Sequence, residues 1–251
     1  GLSFVFIEDK FRSLFAMLFG AGVAILLERA RDSGDARPIR SHVFRMLVLF
    51  AIGACHAILL ANNDVLRLYA MAGLFVPLFL RLDPRKLLVA GGVLMAIHAI
   101  AGSVIAYQWI TATPGTPSAL LPAQIFGNDP AALDYARVIG IESFGERLHR
   151  RIFGFGAALE TQIPGIPSAL GTMLVGAGLW RIGLLKGEWP RSRCIALARR
   201  MTLIALPPLV AFIAVDWRAG FSGAMVGPVA LFWSLPFDLL LAVGYAALAM
   251  A

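Results

Sequence analysis

Long apolar runs, each closed by a short cluster of Arg, Pro, Gly or Asn, recur from one end of this chain to the other. A helix needs about 20 mostly apolar residues to cross a bilayer. About seven stretches approach that length, at roughly 11–27, 44–61, 65–80, 87–110, 164–185, 201–215 and 224–250. The third and sixth are short and must borrow flanking residues or sit in thinned bilayer, whereas the fourth and seventh are long enough to tilt. None alternates apolar and polar residues over about ten positions, which argues against an outer-membrane barrel. The pattern predicts an all-α fold, a polytopic transmembrane helical bundle forming one integral membrane domain over 1–251.

Composition removes the alternatives. Hydrophobic residues make up 59% of the 251 and charged residues 15%, with a mean hydropathy of +0.78. Soluble domains carry about 45–50% and about 25%, so one soluble core cannot hide this much apolar surface. Disordered and collagen-like chains are excluded by the same density of Leu, Ala, Val, Ile and Phe. The net charge of +7 invites a nucleic-acid partner, but a basic binding face needs a soluble fold to present it. Cys55 and Cys194 are the only cysteines, one in an apolar run and one in a basic loop, so no disulfide framework is expected.

The positive charges sort by side. Fourteen of the 22 Lys and Arg residues lie in the connections at 29–45, 81–86 and 181–200, and the remaining eight lie in the opposite set. The positive-inside rule makes the richer side cytoplasmic and puts residue 1 on the extracytoplasmic side of a bacterial inner membrane. A chain that starts there without a signal peptide is expected to be a fragment lacking a span at each end. The long loop at 111–160 then faces outward. Within it, Leu133, Ala136, Ile139 and Ile141 stand among charged residues of 132–155. That pattern suits an amphipathic helix on the membrane surface, or equally a solvated helix packed over the bundle.

Ionisable residues inside spans are costly, so each is a functional candidate with a structural competitor. His56 precedes the outer helix end by about 7–8 Å, and Asp64 follows in the NND turn. An imidazole beside a carboxylate at a wetted depth can serve as an oriented general base; the alternative is a histidine bonded to a neighbouring carbonyl. Glu8, Asp9, Lys10 and Arg12 cluster at the mouth of the first span, either as dipole partners and snorkelling cations or with Lys10 or Arg12 binding an anionic group. Asp238 lies in the last span beside Pro236, either buried against a donor or lining a cavity. His98 reads as a satisfied core histidine, and Glu160 and Gln162 as interfacial residues able to close over the outer cavity. No phosphate loop, dinucleotide fingerprint, HExxH or paired CxxC occurs, and no metal-ligand set is dense enough to form a site. Ala16, Gly20 and Ala24 form a small-residue ridge in the first helix. Gly22, Gly154 and Gly156 are likewise read as points of close helix packing.

The run KFRSLFAMLFGAGVAILLER at 10–29 resembles a signature of the YeiB-like bacterial membrane proteins. The segment from His56 through Asp64 to Tyr69, the run GTMLVGAGLWRIGLL at 171–185 and GYAALAMA at 244–251 fit the same pattern. The family's RGFAL-type and GRMALTNY-type segments are absent, and Asn63 stands where the family commonly has Gly. The resemblance implies a polytopic inner-membrane protein. Its distant similarity to the membrane acyltransferases that include the lysosomal heparan glucosaminide acetyltransferase implies acyl transfer to an extracytoplasmic acceptor. Acyl-CoA would be the candidate donor and an envelope glycan or lipid the candidate acceptor. His56 would be the base, Asp64 its orienting partner, and Lys10 and Arg12 the holders of substrate charge. Two other classes stay open: a transporter or flippase using Asp238 and His98, and a non-catalytic scaffold.

Overall fold

A computed structural model describes every residue except Gly1, Glu8, Asp35, Ala36, Asn62 and Asn63. Among the described residues there are helices and turns but no strands. The chain opens with α1 (Leu2–Phe6), α2 (Lys10–Asp32), α3 (Pro38–Leu59), the short α4 (Leu66–Gly73) and α5 (Val76–Phe79), and the long α6 (Pro84–Ile110). The segment that follows folds into α7 (Pro117–Ile125), α8 (Pro130–Ile141), α9 (Phe144–Phe153) and α10 (Phe155–Glu160). The chain returns through α11 (Ile166–Arg181), α12 (Arg191–Arg218), α13 (Gly223–Pro228), a π-helical turn at Val229–Trp233 and α14 (Leu235–Ala249).

Five of these stretches are long and apolar enough to cross a bilayer, namely Ser3–Asp32, Pro38–Leu59, Pro84–Ile110, Phe155–Arg181 and Arg191–Arg218. A sixth is the pair Gly223–Trp233 and Leu235–Ala249, bent by 48° at Ser234. The expected seven reduce to six because 65–80 is only an interrupted apolar helix over Leu66–Phe79. Fourteen residues rise about 21 Å, short of the roughly 30 Å hydrocarbon core. The expected short span at 201–215 is instead a helix of 28 residues whose first turns are basic.

Burial follows the logic of a lipid solvent. Along α6, the exposed positions Val89, Val93, Ile97, Ile100, Val104 and Tyr107 recur at helical spacing and are all large and apolar. The opposite stripe, Leu87, Gly91, Met95, His98, Gly102 and Ala106, is buried and contains the small and polar residues. A water-soluble helix would show the reverse arrangement. The chain is a multi-pass membrane protein.

The centre of the bundle is α11, buried without interruption from Ser168 to Leu179. Its neighbours α2 and α6 reach it at backbone distance. A methyl group at Gly20 would overlap the Met173 carbonyl, and one at Gly176 would overlap the Met17 carbonyl. On the other flank, Gly91 and Gly171 face each other's carbonyls, with a methyl at either coming to 2.6 or 2.7 Å. Ala16 and Ala24 are buried on the same ridge. The packing expectation fails at the other glycines: open space surrounds Gly22 and Gly156, and Gly154 meets only the carbonyl of Arg150 in its own helix. Gly154 instead joins α9 to α10.

The two ends of the bundle are secured differently. At the arginine-rich end, Arg181 donates from Nε to Glu28 Oε1 at 2.8 Å and from a terminal nitrogen to the Leu80 carbonyl at 2.9 Å. At the other end, the stretch expected to hold one amphipathic helix over 132–155 breaks at Glu142. There Ser143 and Glu146 form a reciprocal capping box that starts α9. Asp129 Oδ2 accepts from the Gly223 amide at 2.7 Å and so fastens the α7–α8 turn to the start of α13.

Gly176→Ala is expected to destabilise the protein by about 1–3 kcal/mol, because the added methyl meets backbone that cannot rotate away. Gly22→Ala is expected to leave stability unchanged or slightly raised. Thermal unfolding of the two variants in detergent checks the contrast.

Candidate functional site

Two polar constellations lie within this apolar bundle, and both include residues singled out from the sequence. The first forms where α3 ends and α4 begins. Gly53 lets the chain return close to α3: a methyl there would stand 2.8 Å from both the Arg67 amide nitrogen and Asp64 Oδ2. Asp64 takes the position of a helix-capping carboxylate, accepting from the Arg67 amide at 3.0 Å and from Arg67 Nε at 3.3 Å, both on Oδ2. Its other oxygen, Oδ1, lies 3.3 Å from His56 Nδ1. Asp64 and Arg67 are almost fully buried, whereas the His56 side chain is 38% exposed.

The Asp64 carboxylate is thus divided between two partners. Arg67 holds one oxygen and compensates the buried negative charge, and the other oxygen faces the imidazole. Nδ1 of His56 is buried and lacks a well-aligned hydrogen bond, so the exposed part of the ring lies away from the carboxylate. Arg67 in turn lies 5.3 Å from the centre of the Phe155 ring. Gln162 donates from Nε2 to the Asp64 backbone carbonyl at 2.8 Å, leaving Oε1 buried without a partner. Arg151 donates to the Ile58 carbonyl at 3.3 Å, two residues beyond His56. The 117–160 segment and the start of α11's span therefore close over the His56 end of the bundle. Glu160 of that segment is exposed.

The second constellation joins the start of α2 to the first turn of α14. Lys10 Nζ approaches Asp238 Oδ1 to 2.7 Å, and both side chains are completely buried. The angle of approach makes this an ion pair and not an aligned hydrogen bond, since neither Asp238 oxygen has a directed partner. Lys10 donates to the Phe4 carbonyl and lies 4.9 Å over the Phe4 ring. Ser234, at the 48° bend, has a buried hydroxyl without a partner. Lys10 therefore meets Asp238, and Arg12 forms a half-exposed pair with Asp9 at 2.9 Å. Glu8 of the same cluster lies outside the described residues.

His98 is tied into the core: Nδ1 lies 2.9 Å from the Pro164 carbonyl and Nε2 lies 3.0 Å from the Leu231 carbonyl. It connects α6 to the start of α11 and to the π-helical turn. Tyr69 donates to the Arg12 carbonyl at 2.9 Å and stacks on Phe15 at 5.9 Å, anchoring α4 on α2. Both cysteines are free. Among the described residues, no group of three or more His, Cys, Asp or Glu side chains gathers where a metal ion could be held.

Arg67 is the participant that sequence reasoning passed over. Its signal was present in the spacing: an Asp followed by Arg three residues later at the start of an apolar helix puts the arginine within reach of the capping carboxylate.

Removing one member of the sealed pair strands the other. Asp238→Leu or Lys10→Met alone is expected to cost about 3–5 kcal/mol, and the double variant carrying both to recover most of that loss. Unfolding of the two single variants and the double in one cycle measures the coupling. Strictly additive losses would show that the two side chains do not act as a pair.

No family model matches the chain, and no solved structure matches it. Three curated proteins do. The uncharacterised protein YeiB of Escherichia coli K12 is 30% identical over 96% of this chain and 59% of its own length. The uncharacterised protein YxaH of Bacillus subtilis 168 is 37% identical over 34% of this chain and 21% of its own length. An uncharacterised 39.9 kDa protein from the amylase 3' region of Bacillus acidopullulyticus is 30% identical over 41% of this chain and 29% of its own length. The chain spans about three fifths of YeiB and smaller shares of the other two. Over nearly all of its own length, this multi-pass membrane protein is homologous to the YeiB-like uncharacterised proteins.

Proposed function

We propose that this protein transfers an acyl group to an acceptor at the extracytoplasmic face of a bacterial inner membrane, with His56 as general base. The observation that carries the proposal is the half-exposed His56 ring beside the buried Asp64 carboxylate, which Arg67 holds from the other side. A carboxylate 3.3 Å from one ring nitrogen stabilises the imidazolium by its charge, leaving the other nitrogen to take a proton. In the reaction, an acceptor hydroxyl or amine loses its proton to His56 as its oxygen or nitrogen attacks the acyl carbonyl. Collapse of the tetrahedral intermediate then breaks the bond to the leaving thiol or alcohol, which recovers the proton from the imidazolium. Acyl-CoA is the candidate donor and an envelope glycan or lipid the candidate acceptor. The buried, unpartnered Gln162 Oε1 supplies an acceptor for an N–H or O–H group near the same carboxylate.

A second reading rests on a separate observation. The bent span with its π-helical turn, a buried Ser234 hydroxyl and the Lys10–Asp238 pair has the features of a discontinuous helix in a transporter. Under that reading Asp238 and Lys10 would exchange partners with a substrate or a proton.

His56→Ala is expected to lower label transfer from radiolabelled acetyl-CoA to extracted envelope glycans and lipids by roughly 100- to 10,000-fold while the protein stays folded. Asp64→Asn is expected to fall in the same assay, and Asp238→Asn to matter through stability alone. Absence of transfer by well-folded wild-type protein would sink the proposal. Proton-gradient-dependent uptake into proteoliposomes, lost in Asp238→Asn, would install the second reading.

A further inference from the structure

A cavity of about 630 Å³ lies between α7, α8 and α9, apart from the His56 and Asp238 sites. One wall is apolar and comes from Ile125, Leu133 and Ile139; the other carries Arg147 and Arg151, one turn apart on α9. The Nε atoms of both arginines are buried and have no hydrogen-bond partner. Each spends a single terminal nitrogen on a backbone carbonyl, Arg147 on Glu142 at 3.2 Å and Arg151 on Ile58 at 3.3 Å.

The nearby acids are committed elsewhere. Glu142 is paired with Arg150 through both carboxylate oxygens, and that bond, with the weaker pull of the Arg150 and Arg147 charges, holds its carboxyl below the usual range. Glu146 is taken up by the capping box with Ser143, Asp134 lies 3.6 Å from Arg137, and Asp129 accepts from the Gly223 amide. Among the described residues no carboxylate forms an ion pair with Arg147 or Arg151. Two guanidinium groups at i and i+4 repel each other, and a buried N–H without an acceptor is unfavourable. A ligand that supplies several anionic oxygens relieves both. A phosphate does so best, since its oxygens match the fork of guanidinium donors.

The apolar wall narrows the choice further. A free anion gains nothing from Ile125, Leu133 and Ile139, whereas a phosphate attached to an alkyl or isoprenoid chain covers them. The flanking side chains Ile141, Phe144 and Phe153 are exposed and apolar, which suits a segment lying in the interface of the bilayer. We propose that Arg147 and Arg151 bind the phosphate group of a negatively charged amphiphile, with the α7–α8 wall taking the first part of its chain. The site does not depend on the acyl-transfer reading.

The test titrates the detergent-solubilised full chain with dioctanoyl phosphatidylglycerol, dioctanoyl phosphatidylcholine or inorganic phosphate and reads Kd by thermophoresis. Phosphatidylglycerol is expected to bind at least about tenfold more tightly than either of the others. Arg147→Gln is expected to weaken it at least about tenfold, and Arg137→Gln, on the exposed side of α8, to leave it unchanged. Arg151→Gln also gives up the bond to Ile58, so the Arg147 variant, checked as folded by circular dichroism, carries the decision. Equal binding of the two lipids, or full retention of affinity in Arg147→Gln, overturns the site. Inorganic phosphate binding as tightly as the lipid overturns the amphiphile and leaves a site for the free anion.

Discussion

The bundle depends on α11 having almost no side chain where α2 and α6 cross it. In lipid there is no hydrophobic gain from moving an apolar side chain out of the bilayer into a protein core, so association relies on close van der Waals contact and on polar bonds. Gly20 and Gly176 on one flank and Gly91 and Gly171 on the other bring three backbones together and allow contact that larger residues would prevent. With α2 held against α11, its N-terminal turn carries Lys10 to Asp238, and the Arg12 carbonyl meets the Tyr69 hydroxyl. With α6 held on the other flank, His98 reaches both Pro164 and Leu231. The polar contacts are consequences of the glycine crossings.

Those polar contacts show how an apolar chain carries ionisable groups at membrane depth. Asp64 faces Arg67, and Asp238 faces Lys10, so these two buried carboxylates each stand next to a cation. His42 and His98 face backbone carbonyls. Three of these contacts gather at places where helical regularity is interrupted, which are the α3–α4 return, the start of α11 and the π-helical turn before Ser234. Irregular backbone exposes carbonyls that a straight helix would use internally. Histidine and arginine side chains then approach the exposed carbonyls, as the two ring nitrogens of His98 approach Pro164 and Leu231.

Helical class, lipid exposure and the small-residue ridge at Ala16, Gly20 and Ala24 were legible in the sequence because they depend on local composition and helical period. Less was legible where length decided the outcome. The run 65–80 is apolar except for Arg67, yet it divides into two short helices, and the apolar core of 201–215 is the middle of a helix nearly twice as long. Gly22 and Gly156 look like Gly20 in their local sequence, but packing depends on which way a residue faces, and that is set by a partner helix far away in the chain. The same limit applies to Lys10 and Asp238. Asp238 stood out as an ion in an apolar run and Lys10 as a member of the charged cluster at the mouth of the first span, while their pairing requires α2 and α14 to be neighbours. His56 and Asp64 were more readily joined, because eight residues and one turn separate them.

The two constellations differ in access, and access decides what chemistry each can support. Lys10 and Asp238 are sealed at complete burial, so a substrate could meet them only after the bent span moved. His56 is already 38% exposed, with its carboxylate behind it and not in front. A base needs an open face toward the group it deprotonates and a fixed partner on the other side. A buried ion pair needs neither, and is more readily understood as the contact that joins the ends of the chain. Catalysis at His56, as proposed, would require no rearrangement of the bundle, whereas transport through Asp238 would require that the pair be broken on every cycle. That asymmetry is the physical reason the proposed reaction is placed at His56 and not at the Lys10–Asp238 pair.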